Sequence, residues 1–161
     1  KLELAHEGKA YSDDGQVGIM VETPAAAIMT PVLAKYVDFF SIGTNDLVQY
    51  TLAVDRGNAN ISYLYNHFNP AVLRLVQRTI TSARENGIWA GMCGEMASDP
   101  NAAVLLMAMG INELSMSAPS IPRVKEKIRS ISSVKAKEIL ADVMTMEDGD
   151  DIRNYLQKIL G

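Results

Sequence analysis

Three short apolar runs each stop at groups able to do chemistry. The run 17–21 ends at Glu22, the run 37–42 at Gly43-Thr44-Asn45-Asp46, and the run 88–92 at Cys93-Gly94-Glu95. If the runs are parallel strands, these side chains share the carboxyl rim of one sheet, where α/β folds bind ligands. Glu22 and Asp46 then come from neighbouring units and can share one hard cation. Water and substrate oxygens would complete the octahedral shell that magnesium prefers. The plainer reading pairs each carboxylate with a nearby Lys or Arg. The cation is favoured, because carboxylates at the ends of buried strands are costly without a partner.

The other candidates each have two readings. Gly43 to Asp46 suits a floor for an anionic or metal-bound ligand, and equally a strand-to-helix turn capped by Thr44 or Asn45. Arg56, ten residues after Asp46, can return from a loop to clamp a carboxylate or phosphate, or can simply be a solvated charge. Cys93, beside a glycine in apolar surroundings, reads on its own as an inert core residue. At the rim, however, a neutral thiol could protonate a carbanion or enolate. His6 and His67 have no partner pattern and read as surface or packing residues. The nine methionines read as core filler. No phosphate-binding glycine loop, zinc pattern or Ser-His-Asp arrangement is visible.

Composition narrows the class. A formal charge of −4 over 161 residues argues against a nucleic-acid surface, which needs a basic face. A single cysteine forbids an internal disulfide and suits a reducing compartment. The longest near-continuous apolar run, 102–111, is too short to span a bilayer, and no charged-then-apolar leader opens the chain. A soluble cytoplasmic protein that contacts neither nucleic acid nor membrane is expected.

The elements that must position these groups alternate. Residues 1–8 read as the last turns of a helix, which predicts that the chain is cut from something longer. A buried strand is expected over 17–21, then a helix over 24–36 with Pro31 as a kink. The second strand, 37–42, precedes a helical segment over 47–54 and a loop over 55–69. Asn69-Pro70 and Asp99-Pro100 each pair an N-cap with a first-turn proline, and Gly87 and Gly110 close the helices they announce. A fourth strand is expected over 113–117 and its helix over 121–130. The segment 133–161 reads as a helical tail of the same domain, with the acids of 146–151 capping its last helix; a calcium loop lacks the full ligand pattern. Four strand–helix units give a parallel sheet, either a small open sheet or half of a (β/α)8 barrel, since a whole barrel takes about 250 residues.

The motifs themselves carry a resemblance. Residues 38–56, with Asp38-Phe39-Phe40-Ser41-Ile42-Gly43-Thr44-Asn45-Asp46 at their head, resemble the signature of the phosphoenolpyruvate (PEP)-utilising enzymes. Gly18-Ile19-Met20-Val21-Glu22-Thr23-Pro24-Ala25-Ala26 and Gly91-Met92-Cys93-Gly94-Glu95-Met96-Ala97 are similar to two other active-site strands of that family, in the same order. The wording of 49–58 is most similar to the sugar-phosphotransferase branch. Pyruvate, phosphate dikinase and PEP synthase share the core motif and stand as alternatives, as does a non-catalytic dimerisation or PEP-sensing module.

The resemblance implies an α/β fold, with this chain (1–161) as units five to eight of a TIM-type (β/α)8 barrel that binds PEP. It also implies a separate phosphohistidine domain that passes the phosphoryl group to the phosphocarrier protein HPr for sugar uptake and leaves pyruvate. By matching positions, Glu22 and Asp46 would hold Mg2+, Asn45 and Arg56 the substrate's anionic groups, and Cys93 would protonate C3 of the enolate. That assignment overrides the core reading of the thiol. The family's histidine nucleophile and two substrate-binding arginines from earlier strands have no counterpart in this chain, so the chain alone is expected to be inactive. A half barrel exposes sheet edges and an apolar inner face, so a homodimer is expected.

Overall fold

Four strands form one parallel sheet in a computed structural model that describes residues 1–161. They are β1 (Gly18–Val21), β2 (Phe39–Gly43), β3 (Trp89–Cys93) and β4 (Glu113–Leu114), paired in sequence order. Helix α1 (Leu2–His6) precedes the sheet, and α2 (Pro24–Leu33) follows β1. Helices α3 (Thr44–Leu52) and α4 (Pro70–Glu85) follow β2, and α5 (Glu95–Ser98) and α6 (Pro100–Met109) follow β3. After β4 come α7 (Ile121–Arg129), α8 (Ser133–Val143) and α9 (Gly149–Leu160).

The strand order advances in one direction and never reverses. Right-handed crossovers that always advance put every connecting helix on the same face, whereas a doubly wound sheet reverses and covers both. The fold therefore fits half of a (β/α)8 barrel rather than a small open sheet.

Side-chain alternation sorts the two faces. Phe40 and Ile42 of β2 and Ala90 and Met92 of β3 are buried in one core with Leu73, Val76 and Ile80 of α4 and Leu105 and Leu106 of α6. Ile139, Leu140 and Val143 of α8 and Ile152 and Leu156 of α9 complete that core. The opposite face carries Met20, Phe39, Ser41, Trp89, Gly91 and Cys93. There Phe39 and Trp89 stack at 4.3 Å with an interplanar angle of 11°. Gly18 lies beneath the Phe39 ring, where a Cβ would come within 2.3 Å of a ring carbon.

Two strands differ from expectation. In β1 only Val21 is buried, and Met20 is 46% exposed. A continuous apolar run predicts cover on both faces, but β1 is an edge strand and its inner face has no layer above it. The fourth strand is confined to Glu113–Leu114, shorter than expected.

Helix boundaries follow capping chemistry. Thr23, Asn69, Asp99 and Asp148 each accept a hydrogen bond from a first-turn N–H, and Gly110 ends α6 at φ +94°. Pro31 lies inside α2 and has no N–H to offer Ala27. The Thr30 hydroxyl donates to that carbonyl instead, at 2.9 Å, and α2 runs into a 3₁₀ turn over Ala34–Tyr36. The acids of 146–151 act as the sequence predicts: Asp148 Oδ1 accepts from the N–H groups of Asp150 (2.8 Å) and Asp151 (3.1 Å). The start of α9 also grips the 55–69 loop. Asn66 Nδ2 donates to Asp150 Oδ1 at 3.1 Å, and Arg153 donates to Asn66 Oδ1 at 3.0 Å. No helix is long and apolar enough to cross a membrane.

Candidate active site

Helix α3 starts at Thr44 directly after β2, three residues earlier than predicted, so Asn45 and Asp46 stand in its first turn. A carboxylate there faces the positive end of the helix dipole. The N-cap is Gly43, and no side chain caps the helix. Thr44 and Asn45 therefore do not serve as caps. Their side chains reach sideways to the junction of β3 and α5 instead. Thr44 Oγ1 donates to the Cys93 carbonyl at 2.8 Å, and Asn45 Oδ1 accepts from the Glu95 N–H at 2.9 Å. With its oxygen engaged, the Asn45 amide keeps both N–H donors for another acceptor.

Gly94 makes this junction possible. Its φ of +101° favours glycine, and a Cβ would lie 2.5 Å from Thr44 Oγ1 and 2.8 Å from Asn45 Oδ1. On the other flank, Glu22 follows β1 and lies against Gly43, where a Cβ would come within 3.1 Å of Glu22 Oε2. Cys93, the last residue of β3, is a half-buried free thiol paired in register with Gly43. Glu22, Asn45, Asp46 and Cys93 thus occupy the carboxyl ends of three adjacent parallel strands.

Arg56 sits in the turn after α3, where its N–H donates to Gln49 Oε1 at 3.3 Å. Tyr65, from the same loop, was not singled out from the sequence. Its hydroxyl donates to the Asn45 carbonyl at 3.3 Å. Burial, reinforced by the Glu95 carboxylate, pushes its pKa up to about 12; the Arg56 guanidinium pulls the other way and Asp46 adds a smaller push. Asp46, Arg56 and Glu95 are therefore each close enough for their charge to act on the Tyr65 hydroxyl. The only signal for Tyr65 is an aromatic residue in a largely polar loop, just ahead of a helix cap.

None of the chain's ion pairs involves Glu22, Asp46, Glu95 or Arg56. The plainer reading of the carboxylates, as partners of nearby Lys or Arg, is thus not what the structure contains. No three His, Cys, Asp or Glu side chains gather into a metal cage. Magnesium asks for less: one or two carboxylates, with water and substrate oxygens filling the shell. Glu22 and Asp46 fit that donor set. His67, expected as a surface or packing residue without a partner, contacts Phe68 and does have a partner: Nε2 bonds Asp99 Oδ2 at 3.3 Å, which places it at the cap of α6.

The sequence profile described as "PEP-utilising enzyme, PEP-binding domain" matches residues 1–133. Among similar proteins, the phosphoenolpyruvate-protein phosphotransferase of Haemophilus influenzae is 56% identical over 142 residues, 88% of this chain and 24% of that protein. Its namesake from Buchnera aphidicola (subsp. Acyrthosiphon pisum) is 48% identical over 160 residues, 99% of this chain and 28% of that protein. The Streptococcus equinus protein of the same name is 51% identical over 152 residues, 92% and 26% respectively. The chain spans about a quarter of the length of these curated relatives. A rim of unpaired carboxylates, a carboxamide and a thiol on a half barrel, together with the profile over most of its length, means that the chain belongs to the PEP-utilising enzyme family.

Proposed function

We propose that this chain is the PEP-binding floor of a phosphoenolpyruvate-protein phosphotransferase (Enzyme I). The observation that supports this most is the set of Glu22, Asn45, Asp46 and Cys93 at three adjacent strand ends, with Arg56 on the loop that returns beside them. In this reading Glu22 and Asp46 hold Mg2+, whose chemistry when bound is to neutralise charge growing on the enolate oxygen. The free N–H donors of Asn45 and the Arg56 guanidinium bind the carboxylate and phosphate of PEP. The phosphorus–oxygen bond breaks as the phosphoryl group passes to a histidine outside this chain, leaving pyruvate enolate. Cys93 then gives its thiol proton to C3, and the thiolate regains a proton from solvent.

The parent protein would pass the phosphoryl group on to HPr in the cytoplasm, in the service of sugar uptake. The chain alone binds but does not turn over, because the nucleophile and the phosphate-clamping arginines lie elsewhere. The exposed edge of β1 and the uncovered inner face around Met20 support a homodimer. Calorimetric titration of the purified chain with PEP tests the binding reading: heat is expected only with magnesium present and should vanish in Glu22→Gln. PEP binding that ignores both would overturn it, and sedimentation as a stable monomer at micromolar concentration would overturn the dimer.

A further inference from the structure

The groups assigned above come from two separate pieces of chain. Asn45 and Asp46 belong to the first turn of α3, while Arg56 belongs to the 55–69 loop. A ligand held by both needs the two pieces in fixed register, and a shift of about 1 Å can cost a site a hundredfold. Arg56 is fastened to α3 only through its own N–H and the flexible Gln49 side chain. The loop is better held further along. Asn66 is gripped by Asp150 and Arg153 of α9, and its Oδ1 also accepts from the Phe68 N–H at 3.0 Å. Phe68 is itself buried in the core. Tyr65 is therefore the point where a firmly anchored stretch of loop reaches back to the site.

We infer that Tyr65 is a positioning residue of the site, its hydroxyl pinning the peptide between Asn45 and Asp46 to the loop that carries Arg56. The contact is to a backbone carbonyl, so the phenol acts on the ligand only through the groups it holds. A carbonyl in a first helical turn has a second lone pair free for such a donor. The Glu95 and Asp46 carboxylates oppose ionisation of the phenol, and the Arg56 guanidinium favours it. An ionised side chain in that place would repel one or the other, whereas a neutral donor serves both.

The inference rests on the function proposed above, and the experiment separates the two. In the full-length protein that carries this chain, Tyr65→Phe removes the hydroxyl and keeps the ring. We expect the KM for PEP and the half-saturating magnesium concentration to rise together by about tenfold, as for one lost hydrogen bond that organises a site. The kcat should change by less than about threefold and Tm should hold, because the ring's packing is retained. Wild-type values for both constants would overturn the inference, as would a lower Tm with both constants unchanged. Asp46→Asn is the companion measurement. If it leaves turnover intact, the functional reading falls and this inference with it; if it abolishes turnover while Tyr65→Phe is silent, only the inference about Tyr65 falls.

Discussion

The Thr44 hydroxyl donates to the main-chain oxygen of Cys93 at 2.8 Å, across 49 residues of sequence. Thr44 opens the helix that presents Asp46, and Cys93 ends the strand that presents the thiol. One partly buried hydrogen bond thus sets two chemically different groups in a common frame. Thr44 is 1% exposed, so no water can replace it cheaply.

Replacing Thr44 by Val keeps the shape and removes the donor. The Cys93 carbonyl then loses a buried partner, and stability should fall by about 1–3 kcal/mol. Thr44→Ser should recover most of the loss. Urea unfolding of the two variants beside the parent measures both effects.

At Gly94, a methyl group would meet Thr44 Oγ1 and Asn45 Oδ1 inside van der Waals contact, on a backbone that L residues rarely adopt. Gly94→Ala should cost at least as much stability as Thr44→Val, about 1–3 kcal/mol from backbone strain before the clash is counted. Because relief of the clash moves Asn45, the KM for PEP should rise as well. An alanine variant of unchanged stability and KM would show that this junction is looser than its distances imply.

Removing the charge of Glu22 or Asp46 tests the metal reading directly. Glu22→Gln and Asp46→Asn should each weaken Mn2+ binding, followed by electron paramagnetic resonance, by more than about tenfold. In the full-length protein they should lower kcat/KM by about a hundredfold or more, as expected for loss of charge stabilisation. Cys93→Ala should instead spare metal binding and slow pyruvate formation by about a hundredfold or more, the usual contribution of a positioned acid.

Asp99 gives the fold an acid-sensitive joint. Burial alone would raise its pKa, but hydrogen bonds from His67, Ala102 and Asn101 outweigh that and hold it below 3.8. A carboxyl with a depressed folded pKa contributes stability above its ordinary range and loses it as pH falls through the folded value. Asp99→Asn keeps a competent cap but carries no charge. The variant should be less stable than the parent at pH 5, and the gap should be narrower at about pH 2.5. Paired urea midpoints at the two pH values decide it.

Much of this arrangement was legible in the letters, for local reasons. Asn69-Pro70, Asp99-Pro100 and Gly110 announce helix ends through interactions within a few residues, and all three do so in the structure. The apolar runs before Glu22, Asn45 and Cys93 place those groups at strand ends because strand length is short and its chemistry plain. What escaped depends on distant neighbours. The exposure of β1 follows from its being an edge, which no window around Val21 reveals. The early start of α3 goes with Thr44 and Asn45 bonding across to Cys93 and Glu95 rather than capping their own helix. Tyr65 meets its partner 20 residues away, and the grip of α9 on Asn66 spans more than four times that.

That last contact has a consequence for biosynthesis. Asp150 and Arg153 follow Asn66 by 84 and 87 residues. At about 5–20 residues per second on the ribosome, the loop bearing Arg56 and Tyr65 waits several seconds for its final anchor. From residue 93 onward a nascent chain in that interval has its first three strands but still lacks the α9 anchor of the loop. Holding back the last helix would therefore delay both the anchoring of this loop and the completion of the core by Ile152 and Leu156.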